Sequence, residues 1–304
     1  MQSLEAAITA TANPWPLRRE RAIELASRYP HAAEMLRLYQ ALIPVQERAY
    51  LEALSNNLPP PVGEGRVGAV AALAAERVAP SIVDVTVSAG PPRLRDGVIT
   101  VFSTANLVAM IQRWLEFPSP SGGGQGESLN PFETYLARAS ASPLLEASSS
   151  STLKSLSPHK SHSSQESPSP SGGGSGWGQD GGSSCPTCGG FPQLSYFAVS
   201  GEALVTGPRY LVCSRCANNW IFSRMTCASC GETEGAKLPI FQEHEQFPHV
   251  RVDGCRTCRK YLLTFDLRRD ERAVPIVDEL AALPLDLFAV DQGLTKITPN
   301  LLGN

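Results

Sequence analysis

Apolar residues return at helical intervals through most of the first 117 positions. In Leu17 to Tyr29, Ile23, Leu25 and Ala26 mark one side, and Pro30 stops the run. Residues 31 to 57 set Met35, Leu36, Leu38, Leu42, Val45, Ala49, Leu51 and Leu54 at mixed spacings of three and four, which predicts an amphipathic helix facing a core. Pro44 is expected to kink or split it. Val67 to Val78 and Ala105 to Phe117 are two further candidate helices. Ser81 to Ser88 alternates Ile82, Val83, Val85 and Val87 in a way that also suits a strand.

Composition divides the chain. Residues 147 to 184 are mostly Ser, Gly and Pro, a mixture with too little apolar surface to offset chain entropy, so they are read as a disordered tether. A shorter Gly/Ser break at 118 to 130 shares the string PSPSGGG with it. Between them, residues 131 to 146 open on Pro131 and place Tyr135, Leu136, Ala139 and Leu144 at helix-compatible intervals, predicting a helix that docks on the N-terminal domain. The expected order is a helical domain over 1 to 117, a linker over 118 to 130, the docked helix, the tether, two modules over 185 to 226 and 227 to 269, and a C-terminal helix and tail over 270 to 304.

The whole chain has 304 residues, 42% hydrophobic and 18% charged, with a net charge of -3. That balance disfavours wholesale attraction to nucleic acid or an anionic bilayer. No apolar run is long enough to span lipid, and the first residues lack a signal-peptide pattern, so a cytoplasmic protein without membrane insertion is expected.

All eight cysteines follow the tether and form four CxxC pairs: Cys185 with Cys188, Cys213 with Cys216, Cys227 with Cys230, and Cys255 with Cys258. Adding 42 to each of the first four positions gives the last four, which marks an internal duplication. A unit this short has little core, and a metal would staple it. Two pairs give a four-sulfur tetrahedral site suited to zinc or to a single iron. Grouping by copy puts Cys185, Cys188, Cys213 and Cys216 on one ion and Cys227, Cys230, Cys255 and Cys258 on the other; a nested grouping is the alternative. A redox-active CxxC would more usually occur once, and structural disulfides would need an oxidising compartment. Gly189 and Gly231, one residue past a pair, suit a left-handed turn that aims amides at sulfur.

Around the pairs, His244 and His249 are expected to be exposed loop residues, since four cysteines leave them no place on a metal. Trp220 is expected to pack over the first site. Arg209 and Arg251 occupy equivalent places in the two copies, where they could meet an acidic partner or neutralise a metal-thiolate centre.

These residues resemble the formate dehydrogenase accessory (FdhE-type) family. The resemblance rests on CPTCGG at Cys185, RYLVCSRCANNW ending at Trp220, CASCGE at Cys227 and GCRTCRKYL from Gly254. It continues through VDELAALPLDLF at Val277 and GLTKITPNLL. In the helical half it is weaker, at RYPHAAEMLRLYQALIPVQ from Arg28 and YLARA at Tyr135. It implies an α+β protein: a helical N-terminal domain, two tandem rubredoxin-like or zinc-ribbon metal modules, and a C-terminal helix that Pro284 should interrupt. It further implies a non-enzymatic assembly factor that contacts the catalytic subunit of formate dehydrogenase before export. Two ions, iron or zinc, are implied, with no nucleic-acid partner. A redox or metal-delivery role for a molybdoenzyme, and a zinc-ribbon nucleic-acid adaptor, are the competing readings.

Overall fold

The computed structural model describes residues 13–56, 58, 66–116, 129–155, 182–199 and 207–303, the last five of 129–155 as backbone only. Seven helices come first: α1 (Trp15–Arg28), α2 (Ala33–Ser55), α3 (Arg66–Leu73), α4 (Ala79–Ala89), α5 (Pro92–Thr104), α6 (Leu107–Glu116) and α7 (Pro131–Ser155). Strands β1 (Pro192–Phe197), β2 (Arg209–Cys213), β3 (Asn219–Phe222), β4 (Ile240–Gln242), β5 (Val250–Gly254) and β6 (Lys260–Asp266) follow. Helices α8 (Pro275–Ala281) and α9 (Leu283–Asp291) and the short β7 (Thr295–Lys296) close the chain. No single helix among the described residues is long and apolar enough to cross a membrane.

The expected helices at 17–29 and 31–57 are present as α1 and α2. Pro44 lies inside α2 without splitting it; Leu42, Ile43, Val45 and Gln46 around it are buried, so packing holds the turn that lacks one N–H donor. The segment that could have been a strand, 81 to 88, is helical. A five-residue π segment, Ala74–Val78, joins α3 to α4 just before Pro80, where the missing donor makes a wider turn inexpensive. Ile82, Val83 and Thr86 face the core, and β-branched side chains tolerate the helix because that face is dry.

Helix α7 corrects the expected boundary at 146, for it runs on to Ser155 and takes up the first residues of the supposed tether. Tyr135, Leu136, Ala137, Ala139, Ala141, Leu144, Leu145 and Ala147 are buried, as are Ser140, Ser148 and Ser149, so the helix has no solvent face to give it amphipathic character. Two serines near its end return their hydroxyls to the helix itself: Ser148 Oγ donates to the Leu144 carbonyl at 2.9 Å and Ser150 Oγ to that of Glu146 at 3.0 Å. Residues 156 to 181 of the supposed tether and 118 to 128 of the expected linker lie outside the described residues.

The strands form one sheet in the order β3-β2-β1-β6-β5-β4, with β7 also paired to β6. Each module contributes an antiparallel three-stranded ribbon. The first strand of one and the last of the other then pair in parallel, Leu194 opposite Leu263 and Phe197 opposite Asp266. The seam is tied by a buried polar chain: Arg209 Nε donates to Ser195 Oγ at 3.1 Å, Ser195 and Thr264 hydroxyls meet at 2.6 Å, and Thr264 Oγ1 donates to Asp253 at 2.7 Å. Both sheet edges, β3 and β4, are short, which limits unwanted pairing.

The helical half sits directly on this sheet. Arg21 of α1 pairs with Asp278 at 2.5 Å and Asp270 at 2.7 Å, and the Tyr29 ring stacks on Phe247 with centroids 5.0 Å apart. Arg138 of α7 donates to the Pro299 carbonyl at 2.6 Å and to Gln193, which in turn donates to Glu279. Glu279 is fully buried; burial raises its pKa, and Lys296 at 2.8 Å opposes that rise. The C-terminal helix is broken as expected, but at Ala282, with Pro284 in the first turn of α9 rather than at the break itself.

Candidate metal centres

Each CxxC pair folds into the same knuckle. The amide of the residue after the second cysteine closes a turn onto the carbonyl of the first, as in Gly189 N to Cys185 O at 2.9 Å, Ala217 N to Cys213 O at 3.2 Å and Gly231 N to Cys227 O at 3.0 Å. The first cysteine's own amide then bonds five residues ahead: Cys185 N to Gly190 O at 2.8 Å, Cys213 N to Asn218 O at 2.9 Å, Cys227 N to Glu232 O at 2.8 Å and Cys255 N to Lys260 O at 2.9 Å. The closing residue is left-handed in all four, with φ of 71° at Gly189, 52° at Ala217, 77° at Gly231 and 56° at Arg259. Glycine adopts this freely, whereas Ala217 and Arg259 pay roughly 1 kcal/mol for it. The amides that reach sulfur come from inside the knuckle: Thr187, Arg215 and Ser229 each donate at 3.4 Å to the preceding cysteine's Sγ. Gly190 has a separate reason to be small, because a Cβ there would stand 3.0 Å from Cys213 Sγ.

The knuckles bring the eight sulfurs together by copy, and the nested alternative is not realised. Cys185, Cys188, Cys213 and Cys216 form one cluster and Cys227, Cys230, Cys255 and Cys258 the other, with all four sulfurs of each within 4.8 Å of one another. Separations are 3.7 Å for Cys185 to Cys216, 3.4 Å for Cys188 to Cys213, 3.8 Å for Cys227 to Cys258 and 3.7 Å for Cys230 to Cys255. A tetrahedral ion with bonds of about 2.3 Å requires sulfur-sulfur edges of about 3.8 Å, while a disulfide would bring the atoms to about 2.05 Å. The donor sets therefore fit a four-coordinate zinc or iron. Protonated among themselves, the first four sulfurs are unequal: hydrogen bonds from Cys188 and its neighbours hold the Cys185 thiol low, and hydrogen bonding with Cys185 pushes the Cys216 thiol up. A cation would displace those protons.

The surroundings of the two clusters differ. In the first, Cys185, Cys213 and Cys216 are buried, and the guanidinium of Arg215, within the second knuckle, donates to the Leu115 and Trp114 carbonyls of α6 at 2.7 and 2.6 Å. It also lies 5.4 Å from the Trp114 ring, and Ser149 of α7 donates to the Cys216 carbonyl at 3.1 Å. Burial lowers the pKa of Arg215, and the four cysteines draw it back up. In the second cluster Cys230 is exposed.

Trp220 is buried, with its indole N–H donating to the Gly182 carbonyl at 3.1 Å. His244 is exposed, but His249 corrects the expectation: it is buried, with Nε2 at 3.2 Å from Asp278. His249, Asp270 and Asp278 converge as a metal site would, yet the Arg21 guanidinium already supplies the cation there. Burial works against the Asp270 carboxylate, but the hydrogen bond from Arg21 holds it below its ordinary 3.8. Arg209 and Arg251 share Asp253, at 3.2 and 2.8 Å. Sequence reasoning missed Arg215 and Gly190; the contact of a cluster with helices far back in the chain leaves no local spacing signal.

Residues 184–224 match the model of the FdhE central domain and residues 225–302 that of the FdhE C-terminal domain. An FdhE homologue of Aquifex aeolicus is 34% identical over 119 residues, covering 39% of this chain and 41% of its own length. One from Pseudomonas aeruginosa is 35% identical over 122 residues, covering 39% and 38%. The matches thus span about two fifths of those relatives. The crystal structure of the FdhE protein from Pseudomonas aeruginosa shares the fold across 95% of both chains, with a TM-score of 0.57 at 20% identity. Both cysteine-bearing FdhE domains are thus matched in order over residues 184–302, and the fold of a solved FdhE protein extends through the helices as well.

Proposed function

We propose that the chain is an accessory protein for the maturation of formate dehydrogenase, a cytoplasmic binding protein rather than an enzyme. In this reading it holds the catalytic subunit of the dehydrogenase before export, and two ions, iron or zinc, keep the modules in shape. The observation that carries the reading is the ordered match of residues 184–302 to the two FdhE domains, with two preassembled four-sulfur clusters inside it.

The test is co-purification of the tagged full chain with an immature formate dehydrogenase catalytic subunit, together with the dehydrogenase activity of a strain lacking the gene. Capture of the subunit and loss of its activity are expected; a strain with full dehydrogenase activity overturns the reading. The exposed Cys230 favours a second reading, electron or metal exchange at the second cluster. An iron chromophore with a reversible potential supports it, and tightly held zinc excludes electron transfer because zinc has one accessible oxidation state.

A further inference from the structure

We propose that Arg224, Arg251 and Arg268, gathered around Phe197 on one face of the sheet, form the docking site for an acidic segment of a client protein. This rests on the reading that the chain binds such a client. Phe197 ends β1, and the guanidinium carbons of the three arginines lie 4.6, 4.7 and 5.7 Å from its ring centroid. The aromatic face makes the assembly tolerable, since each cation is drawn to the ring's negative quadrupole. The arginines nonetheless repel one another. Burial lowers the pKa of Arg224 first, and the charges of Arg268 and Arg251 lower it further.

Local acids do not balance them. Asp253 serves Arg209 and Arg251, and Asp266 serves Arg268 at 2.6 Å and Arg269 at 3.9 Å. Arg224 donates to the Gly207 carbonyl and has no carboxylate within ion-pair distance among the described residues. Five guanidiniums thus share two carboxylates, in a chain whose net charge is -3. A carboxylate laid on this surface would gain planar, bidentate partners and remove the mutual repulsion.

The neighbouring wall favours a protein segment over a free anion. Arg224 and Arg251 line a pocket together with Met225 and Ile240, which are 60% and 54% exposed. Charge lies beside apolar surface, including an adaptable thioether, which suits a peptide that alternates acidic and aliphatic side chains.

The test is fluorescence anisotropy of the full-length, metal-loaded protein with a labelled peptide of alternating glutamate and leucine. Saturable binding is expected, weakened about tenfold or more by Arg224→Glu with Arg268→Glu, weakened by added salt, and absent when glutamine replaces glutamate in the peptide. Arg268→Glu alone, at a side chain 38% exposed, covers the case in which the double variant fails to fold, and should cost several-fold. Equal binding by wild type and variants, no binding at all, or full displacement by inorganic phosphate or single-stranded DNA at equal concentration overturns the proposal. If the variants still co-purify with the dehydrogenase subunit as wild type does, this surface is wrong and the accessory reading stands. If the peptide binds as described but wild type captures no dehydrogenase, the accessory reading fails and the acidic-segment site stands.

Discussion

The two modules are copies with the same knuckles, yet they are attached to the helices by opposite ends. In the first, the metal knuckle itself is the contact: Arg215 lies between two cysteines and caps the last carbonyls of α6, while Ser149 of α7 holds the Cys216 carbonyl. In the second, Cys230 is exposed and the loop after β4 reaches back to α1, through Phe247 against Tyr29 with the nearby Asp270 on Arg21. Duplication preserved the sulfur cage because spacing within 42 residues specifies it; the attachments differ because each copy meets a different part of the bundle.

Losing a ligand should therefore have unequal reach. Cys213→Ala should destabilise the whole molecule by several kcal/mol, on the order of 5, since structural metal binding is folding free energy. Cys230→Ala should leave the helices folded, and a chelator should empty the second cluster first. Hydrogen exchange of the Trp114 and Leu115 segment, read beside metal content, checks both; equal loosening of α6 by the two variants breaks the comparison.

The opposite attachment is probed at Arg21. Arg21→Met strands Asp278 and Asp270 and should cost about 3 to 5 kcal/mol in thermal unfolding. The same clamp gives a pH dependence. Asp270 titrates below its ordinary 3.8 when folded, so its contribution is complete above that value and is lost as pH falls through the lower, folded one. Arg21→Met should flatten that acid limb while leaving cluster loading intact.

A smaller effect is expected at Arg215→Gln, about 2 kcal/mol, from hydrogen bonds to a charged group. It should loosen α6 without releasing metal, which separates docking from coordination. Smallest of all, Ala217→Gly should stabilise the first module by about 0.5 to 1 kcal/mol by removing left-handed strain, a shift readable in the melting temperature.

The cysteine cages were legible because all their information lies in short, repeated intervals. Helices α1, α2 and α6 were legible because one face of each is wet. Helix α5 went unseen, since Gly97 and the run from Val98 to Thr104 carry no helical preference and Val98 and Val101 are held only by packing. The end of α7 read as tether because small polar residues are common both to linkers and to a helix crowded on every side. The pairing of Arg21 with Asp278 spans 257 positions, and the burial of His249 follows from it; neither has a local signature.

The parallel join of β1 to β6 also fixes how many copies this architecture can hold. Repeat arrays lengthen when each unit offers its successor an open flank. Here one flank of β6 is taken by β1 and β7 and the other by β5, so a third 42-residue copy appended downstream could not continue the sheet from the strand it follows and would find open strands only at β3 and β4. The tandem is a closed pair, and further growth of the molecule must occur in loops or at the remote margins.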